Sequence, residues 1–498
     1  MMKYLIIGLT FFILFGACLT ESKDGASLYN NRCGTCHLPP DPACLPKNIW
    51  QSQVLPEMGA RMGIKTIGYE YRKGEMNMAE TSAFYPKEPL ISQEDWSKIV
   101  AYVMQHAPDS LEVDTARRSR SNPLALFLPE PLKLDERRGS QVTYVNFDDN
   151  RRQFMVGQAW GELLALSDGD KNSICEGKSP VMGWSEVNGR SYLTEVGYMP
   201  PTERKIGTLS IVENGTAKVI LDGLHRPVHT LVSDLNKDGE PEFVISEFGY
   251  YTGQLSLSKK GKAGKPETKI LSNLPGFIRT VAADMNADGR EDLIGVVAQG
   301  DEGVFIFFQK ENLEFEAQRV IRLSPVYGTS WMEVVDYEGD GDLDVVLAQG
   351  DNADFSMVNK PFHGVRIFIN DGANVFAEHF FYPIYGATRV LARDFDGDGD
   401  VDLAVTAFFP DFVNFPEESF VFLENKNPSA FQFQACTFPE AVSGSWMTAD
   451  AGDFDGDGDL DILLGSFSHN PAPVPEKIKQ DWHQNGPDVL LLRNRLKN

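Results

Sequence analysis

The sequence predicts a multidomain chain: a small all-α domain near the N-terminus, followed by a large all-β domain built of repeated four-stranded sheets. Two observations carry that expectation. A short cysteine-containing stretch with helical patterning precedes residue 111, and beyond residue 130 a nine-residue acidic pattern recurs five times between β-branched and aromatic runs. Length agrees, because 498 residues exceed what one compact core usually serves.

Charge narrows the partners. The chain carries 71 acidic against 46 basic residues, a formal balance of −25, which opposes nucleic acid and anionic membrane surfaces. Either the surface is acidic or bound cations cancel part of the excess.

The first residues read as a secretory signal: Lys3, an apolar run from Tyr4 to Phe15, then Gly16, Ala17 and Cys18. The run is too short to span a bilayer comfortably, and no other segment is apolar enough to try. A cysteine directly after two small residues resembles the lipobox of bacterial lipoproteins. That resemblance implies a signal peptide over 1–17, lipid on Cys18, a tether over 18–24, and an exported chain anchored to a bacterial membrane, facing the periplasm or the cell surface.

Residues 25–37, GASLYNNRCGTCH, set Cys33 and Cys36 three apart with His37 next to the second. This is the attachment pattern of a c-type haem. On one helical turn both thiols reach the two porphyrin vinyl groups, and the adjacent imidazole faces the iron as the proximal ligand. A redox dithiol would want a strand before it, and a zinc site a second ligand pair; neither context is present. A thioether opposite His37 would suit electron transfer, and Met58, Met62, Met76 and Met78 are the candidates. Residues 48–63, NIWQSQVLPEMGARMG, resemble the segment of small cytochrome c domains that carries the axial methionine, which favours Met58; Met76 and Met78 are the alternatives if the loop before the last helix supplies it.

That last helix is marked by Ser92 with Asp95 as a capping box, by Ile91 as a staple, and by Trp96, Ile99, Val100 and Val103 at helical spacing before Pro108. The resemblance to a class I cytochrome c domain therefore covers about residues 25–111 and implies one covalent haem c. It departs after His37, where Leu38 and two prolines replace the usual glycine. Six cysteines are present; with Cys18 on lipid and Cys33 and Cys36 on haem, Cys44, Cys175 and Cys436 remain, an odd number that cannot all pair within one chain. Residues 112–128, polar, Arg-rich and then Pro-containing, read as a linker.

The five repeats begin 50, 52, 58 and 59 residues apart, and one such interval holds a four-stranded sheet. The oxygen-bearing positions are Asp234, Asn236, Asp238 and Glu242; Asp284, Asn286, Asp288 and Asp292; Asp336, Glu338, Asp340 and Asp344; Asp394, Asp396, Asp398 and Asp402; and Asp453, Asp455, Asp457 and Asp461. Oxygens at positions 1, 3, 5 and 9, with glycine at position 6 to allow the turn, curl a loop around one hard cation such as Ca2+. A plain hairpin turn needs one or two of these residues, not four at fixed spacing. The flanks, TLVS before Asp234 and FVIS after Glu242, are strands rather than EF-hand helices. The tract resembles the FG-GAP and VCBS repeat family, which implies an integrin-α-like β-propeller over 129–498 with about five Ca2+ sites. Two degenerate blades over 139–166 and 181–222 bring the count to seven, and residues 126–135 are expected to supply the missing fourth strand of the last blade.

Five residues before the first Asp of each loop stand His229, Arg279, Trp331, Arg389 and Thr448, positions that gather at one mouth of a propeller channel. They either plug it, paired with carboxylates, or bind a ligand. The favoured function is haem-based electron transfer to an unnamed redox partner, with the propeller as docking or ligand-binding platform. The alternative is a propeller that oxidises or senses a small molecule, such as a carbohydrate, and passes electrons to the haem; surface adhesion is a third.

Overall fold

The computed structural model describes residues 24–64, 85–112, 122–261, 265–351 and 356–497. Cys18, Met76 and Met78 lie outside the described residues.

From residue 127 onward the chain forms seven four-stranded antiparallel sheets, six running in chain order and the seventh completed by a strand from the start of the domain, so the domain is a seven-bladed all-β propeller. The first strands of successive blades are neighbours around the ring, which makes them the innermost. Blades one and two begin at Val142–Asp148 and Val181–Val187, where the acidic loop is degenerate, and blades three to seven begin at Pro227–Ser233, Phe277–Ala283, Thr329–Val335, Ala387–Arg393 and Trp446–Gly452. The second strands of blades four to seven are buried along their whole length, as in Asp292–Val297, because blades cover both faces. Outer strands are different. Asp170–Glu176, the fourth strand of blade one, is exposed at its first four residues, so its sequence DKNSICE carries no alternation by which it could be anticipated.

The ring closes as the sequence suggests. Phe127–Leu132 pairs antiparallel with the final strand Val489–Asn494, from Phe127 opposite Asn494 to Leu132 opposite Val489. The expected linker over 112–128 thus ends inside the propeller, and Asn122–Pro123 already lies parallel to Cys436 and Thr437 on the edge of blade six. Within the closing strand Pro129 and Pro131 donate no hydrogen bond, which an outermost strand tolerates.

Short helices precede the propeller. Helix α1 (Gly25–Cys33) is capped by Asp24, whose Oδ1 accepts from Ser27 N at 2.7 Å. A second helical run passes through a π turn at Trp50–Val54 into α2 (Leu55–Arg61). Helix α3 (Gln93–His106) starts at Ser92, whose Oγ accepts from Asp95 N at 3.1 Å. Helix α1 packs on α3 so closely that a Cβ on Gly25 would stand 2.6 Å from the Lys98 carbonyl oxygen. Leu28, Trp50, Leu55, Trp96, Ile99 and Val103 are buried in one cluster between these helices, each worth about 1.5–3 kcal/mol of apolar burial. Among the described residues no helix is long and apolar enough to cross a membrane.

The helices rest on one face of the propeller. Val326 and Val358 pack against their cluster, Tyr85 bonds Tyr251 at 3.0 Å between hydroxyl oxygens, and Arg61 stands 5.0 Å over the Tyr251 ring. These three propeller residues sit in connections on the face opposite the acidic loops, which join first to second strands. On that same face the long second-to-third connections of blades six and seven form a wall, with Phe408 and Phe412 buried against Trp482 of α4 (Glu476–Gln484), a helix that no sequence signal had suggested.

Candidate functional site

The CxxCH motif closes the first helix. Cys33 is the last residue of α1 and half-buried against the apolar cluster that also borders Met58 and Met62, while Cys36 is exposed in the following turn. The two thiols are unbridged, as are Cys44, Cys175 and Cys436. Burial, with the Cys36 thiol beside it, pushes Cys33 up to about 11, the reverse of an activated redox dithiol. His37 Nδ1 lies 2.9 Å from the Leu38 carbonyl oxygen, an acceptor that puts a proton on Nδ1 and leaves Nε2 available to a ligand. Two free thiols, one oriented imidazole and thioethers on one apolar wall are a donor set that fits a covalent haem. Beside Met58, the buried Glu57 carboxylate accepts from Tyr85 Oη at 3.0 Å and, within α2, from Arg61 Nε at 3.2 Å, so Tyr85 ties α2 down next to that methionine.

Each acidic loop is prefolded by its own carboxylates. The position-1 side chain accepts from backbone N–H groups across the turn, Asp234 from Asp238 N at 2.9 Å and Gly239 N at 2.8 Å, Asp394 from Gly397 N at 2.8 Å and Gly399 N at 3.0 Å. Position 6 is left-handed in all five, from φ 84° at Gly289 to 96° at Gly341, with no atom within 4 Å of the Cβ site in the first four loops. Glycine is there for backbone conformation, not for space. The position-9 carboxylate does a second job: Asp402 accepts from Phe395 N at 3.2 Å and Asn425 N at 2.7 Å, and Asp461 from Phe454 N at 3.2 Å and Asn494 N at 2.7 Å, bracing the loop to the third strand. Burial, with neighbouring carboxylates, pushes Glu242, Asp402 and Asp461 up to about 7.

The loops are not equivalent. Carboxylate oxygens of Asp394, Asp396 and Asp398 lie within 4.8 Å of one another, as do those of Asp453, Asp455 and Asp457. Asp336, Glu338 and Asp340 do not gather in this way among the described residues, the longer Glu338 standing where the other loops have Asp or Asn. In loops one and two Asn236 and Asn286 take position 3, so fewer charges converge there. The donor chemistry of loops four and five fits a hard divalent ion.

In every blade the innermost strand slips register by one residue near its start, at Tyr144, Gly183, His229, Arg279, Trp331, Arg389 and Thr448. The bulge re-aims this residue toward the axis. Arg279 and Arg389 place their guanidinium carbons 4.3 and 3.4 Å from the centre of the Trp331 ring. At such distances they would overlap on one face, so they cover opposite faces of the indole. Glu333 pairs with Arg279, accepts from Trp331 Nε1 at 2.8 Å, and pairs with Arg393 at 3.1 Å. Burial works against the Glu333 carboxylate, but the Arg279 and Arg393 guanidinium groups outweigh it and hold it below its usual range.

Sequence reading missed Glu333, Arg393, Asp450 and Tyr144. The signal was present: positions two and four residues along a strand share a face, so Glu333 follows from Trp331, Arg393 from Arg389 and Asp450 from Thr448.

The fold and its loops define a seven-bladed propeller with acidic strand-to-strand turns. Within it, residues 284–347 match the family model described as FG-GAP-like repeat. None of the curated proteins matches the chain. Among solved structures, the crystal structure of the N-terminal domain of Nup159 is similar at 10% identity, covering 75% of this chain and 96% of that one, with a TM-score of 0.41.

Proposed function

We propose that the chain is an exported, lipid-anchored c-type cytochrome that carries electrons, with a calcium-braced propeller as its docking or ligand-binding platform. The observation that carries this reading is the CxxCH turn at the end of a packed helix, with His37 held through Nδ1 and both thiols free. A bound haem c would supply a one-electron couple; Cys33 and Cys36 would hold it covalently, and His37 and Met58 would bind its iron. The chain itself orients the imidazole, keeps Cys33 and Met58 against an apolar wall, and pins α2 through Glu57.

The oxidoreductase alternative draws support from placement. His229, Arg279, Trp331 and Arg389 lie near the starts of their strands, on the face where the helices rest. A stacked sugar finds no free face on Trp331, however, so the electron carrier is the better supported reading.

The test is a reduced-minus-oxidised visible spectrum with pyridine haemochrome analysis of the exported protein. One covalent haem per chain, lost in Cys33→Ala with Cys36→Ala, is expected, and Met58→Ala is expected to abolish the methionine-to-iron charge-transfer band. A purified chain with free thiols and no haem would end this proposal.

A further inference from the structure

We infer that the propeller channel holds a small monocarboxylate, gripped by the Arg389 guanidinium beside Trp331. This goes beyond the electron-transfer reading and concerns the propeller alone.

The first argument is charge. In a chain with a net charge of −25, the channel gathers Arg279, Arg389 and Arg393 around two carboxylates, Glu333 and Asp450. Glu333 serves Arg279 and Arg393 together. Asp450 turns Oδ2 to Asn146 Nδ2 at 2.9 Å and to Phe147 N at 2.8 Å, and makes no ion pair among the described residues. At the acidic-loop end, Asp148 and Glu186 share Arg151. Counted together these four arginines and four carboxylates balance, so it is only around Trp331, where Arg279, Arg389 and Arg393 face Glu333 and Asp450, that one positive charge is in excess.

The second is unmet hydrogen bonding. Arg389 donates from Nε to the Ala449 carbonyl at 3.1 Å, and its two Nη groups donate to no protein atom among the described residues. A half-buried guanidinium with four N–H donors open to the channel can take the oxygens of an anion in place of water. Room exists for either, since Arg389, Trp331 and His229 are only half-buried and the Arg279 and Arg393 side chains keep 19% and 39% of their exposure.

The ligand class follows from the donors. A guanidinium edge presents two parallel N–H groups, the match for the two oxygens of a carboxylate. Burial, with Arg279 and Arg389 nearby, pushes His229 down to about 3, so its imidazole is neutral; Nδ1 accepts from Thr280 N at 3.5 Å and the proton sits on Nε2. His229 therefore adds a donor but no charge, and a single excess charge suits a monoanion better than a phosphate dianion. Both faces of Trp331 are occupied, which removes the aromatic platform on which a neutral sugar would stack.

The experiment is calorimetric titration of the full chain with acetate, glucuronate, glucose and inorganic phosphate, a readout that works whether or not haem is present. Saturable binding of glucuronate or acetate, one per chain and roughly millimolar or tighter, is expected, with no heat from glucose. Arg389→Gln should weaken it at least tenfold. If Arg389→Gln does not fold, as judged by its thermal transition, Arg389→Lys decides instead: it keeps the charge, loses the fork, and should weaken binding several-fold. Equal binding of glucose, tighter binding of phosphate, no saturable carboxylate binding, or full affinity in the folded Arg389 variants would overturn the inference.

Discussion

Arg493 on the final strand places Nη1 2.8 Å from Oδ2 of Asp455 in the fifth acidic loop, while Nε reaches Glu130 at 3.0 Å on the closing strand and Nη2 reaches Asp168 at 2.9 Å in blade one. One guanidinium thus ties ring closure to a loop whose carboxylates fit a divalent ion. A cation at that loop would meet a fixed positive charge already spent on Asp455. Arg493→Gln should therefore raise calcium affinity of the fifth loop about fivefold, roughly 1 kcal/mol, while lowering the metal-free melting temperature. Calcium titration and calorimetry on the same variant check both, and unchanged affinity would show that Arg493 does not compete.

Loop four offers the contrast. Asp394, Asp396 and Asp398 converge without any ion pair among the described residues, whereas in loop two Asp288 is held by Arg290 at 2.5 Å. Bound calcium should stabilise the propeller by about 2.7 kcal/mol per site at a hundredfold excess over Kd. Asp398→Asn is expected to lose more of the calcium-dependent rise in melting temperature than Asp288→Asn. Equal losses, or a melting temperature indifferent to chelator, would argue against these loops as cation sites.

Two glycines separate conformation from space. Gly452, on the innermost strand of blade seven, faces Phe147 of blade one, and a Cβ there would lie 1.9 Å from the ring. Gly399, in loop four, has nothing near its Cβ site but sits at φ 94°. Gly452→Ala should destabilise the closed ring by about 1–3 kcal/mol through overpacking, with calcium affinity unchanged. Gly399→Ala should cost about 1 kcal/mol of backbone strain and weaken calcium as well. Urea unfolding with and without calcium distinguishes the two patterns.

How far the sequence could be read depended on what each residue had to satisfy. The acidic loops were legible because oxygen-bearing side chains recur there at fixed spacing around a left-handed glycine, and the closing strand because the last blade counted only three. Asp170–Glu176 was not, since an outermost exposed strand needs no apolar face. Nor was Glu476–Gln484, a helix inserted where a hairpin turn would serve. In the channel, His229, Arg279, Trp331 and Arg389 were found by counting back from the loops, while Glu333 required the further step of following the strand two residues on. The second duty of Asp402 and Asp461, bracing the third strand, is a tertiary contact with no local signature.

The last prediction concerns acid. Burial, with Arg279 and Arg389 beside it, lowers the His229 imidazole from 6.5 to about 3. Between those values the unfolded chain binds a proton there and the folded chain does not, so stability present above 6.5 is lost as pH falls through this window. At pH 5 the loss reaches up to about 2 kcal/mol from this one residue. His229→Asn keeps an acceptor for Thr280 N and removes the titration. Measured by urea unfolding, the drop in stability from pH 7 to pH 5 should therefore be smaller in His229→Asn than in the parent, the other titrating groups cancelling in the comparison. An identical drop in both would mean that His229 is protonated in the folded channel, paired with an anion rather than held neutral between two arginines.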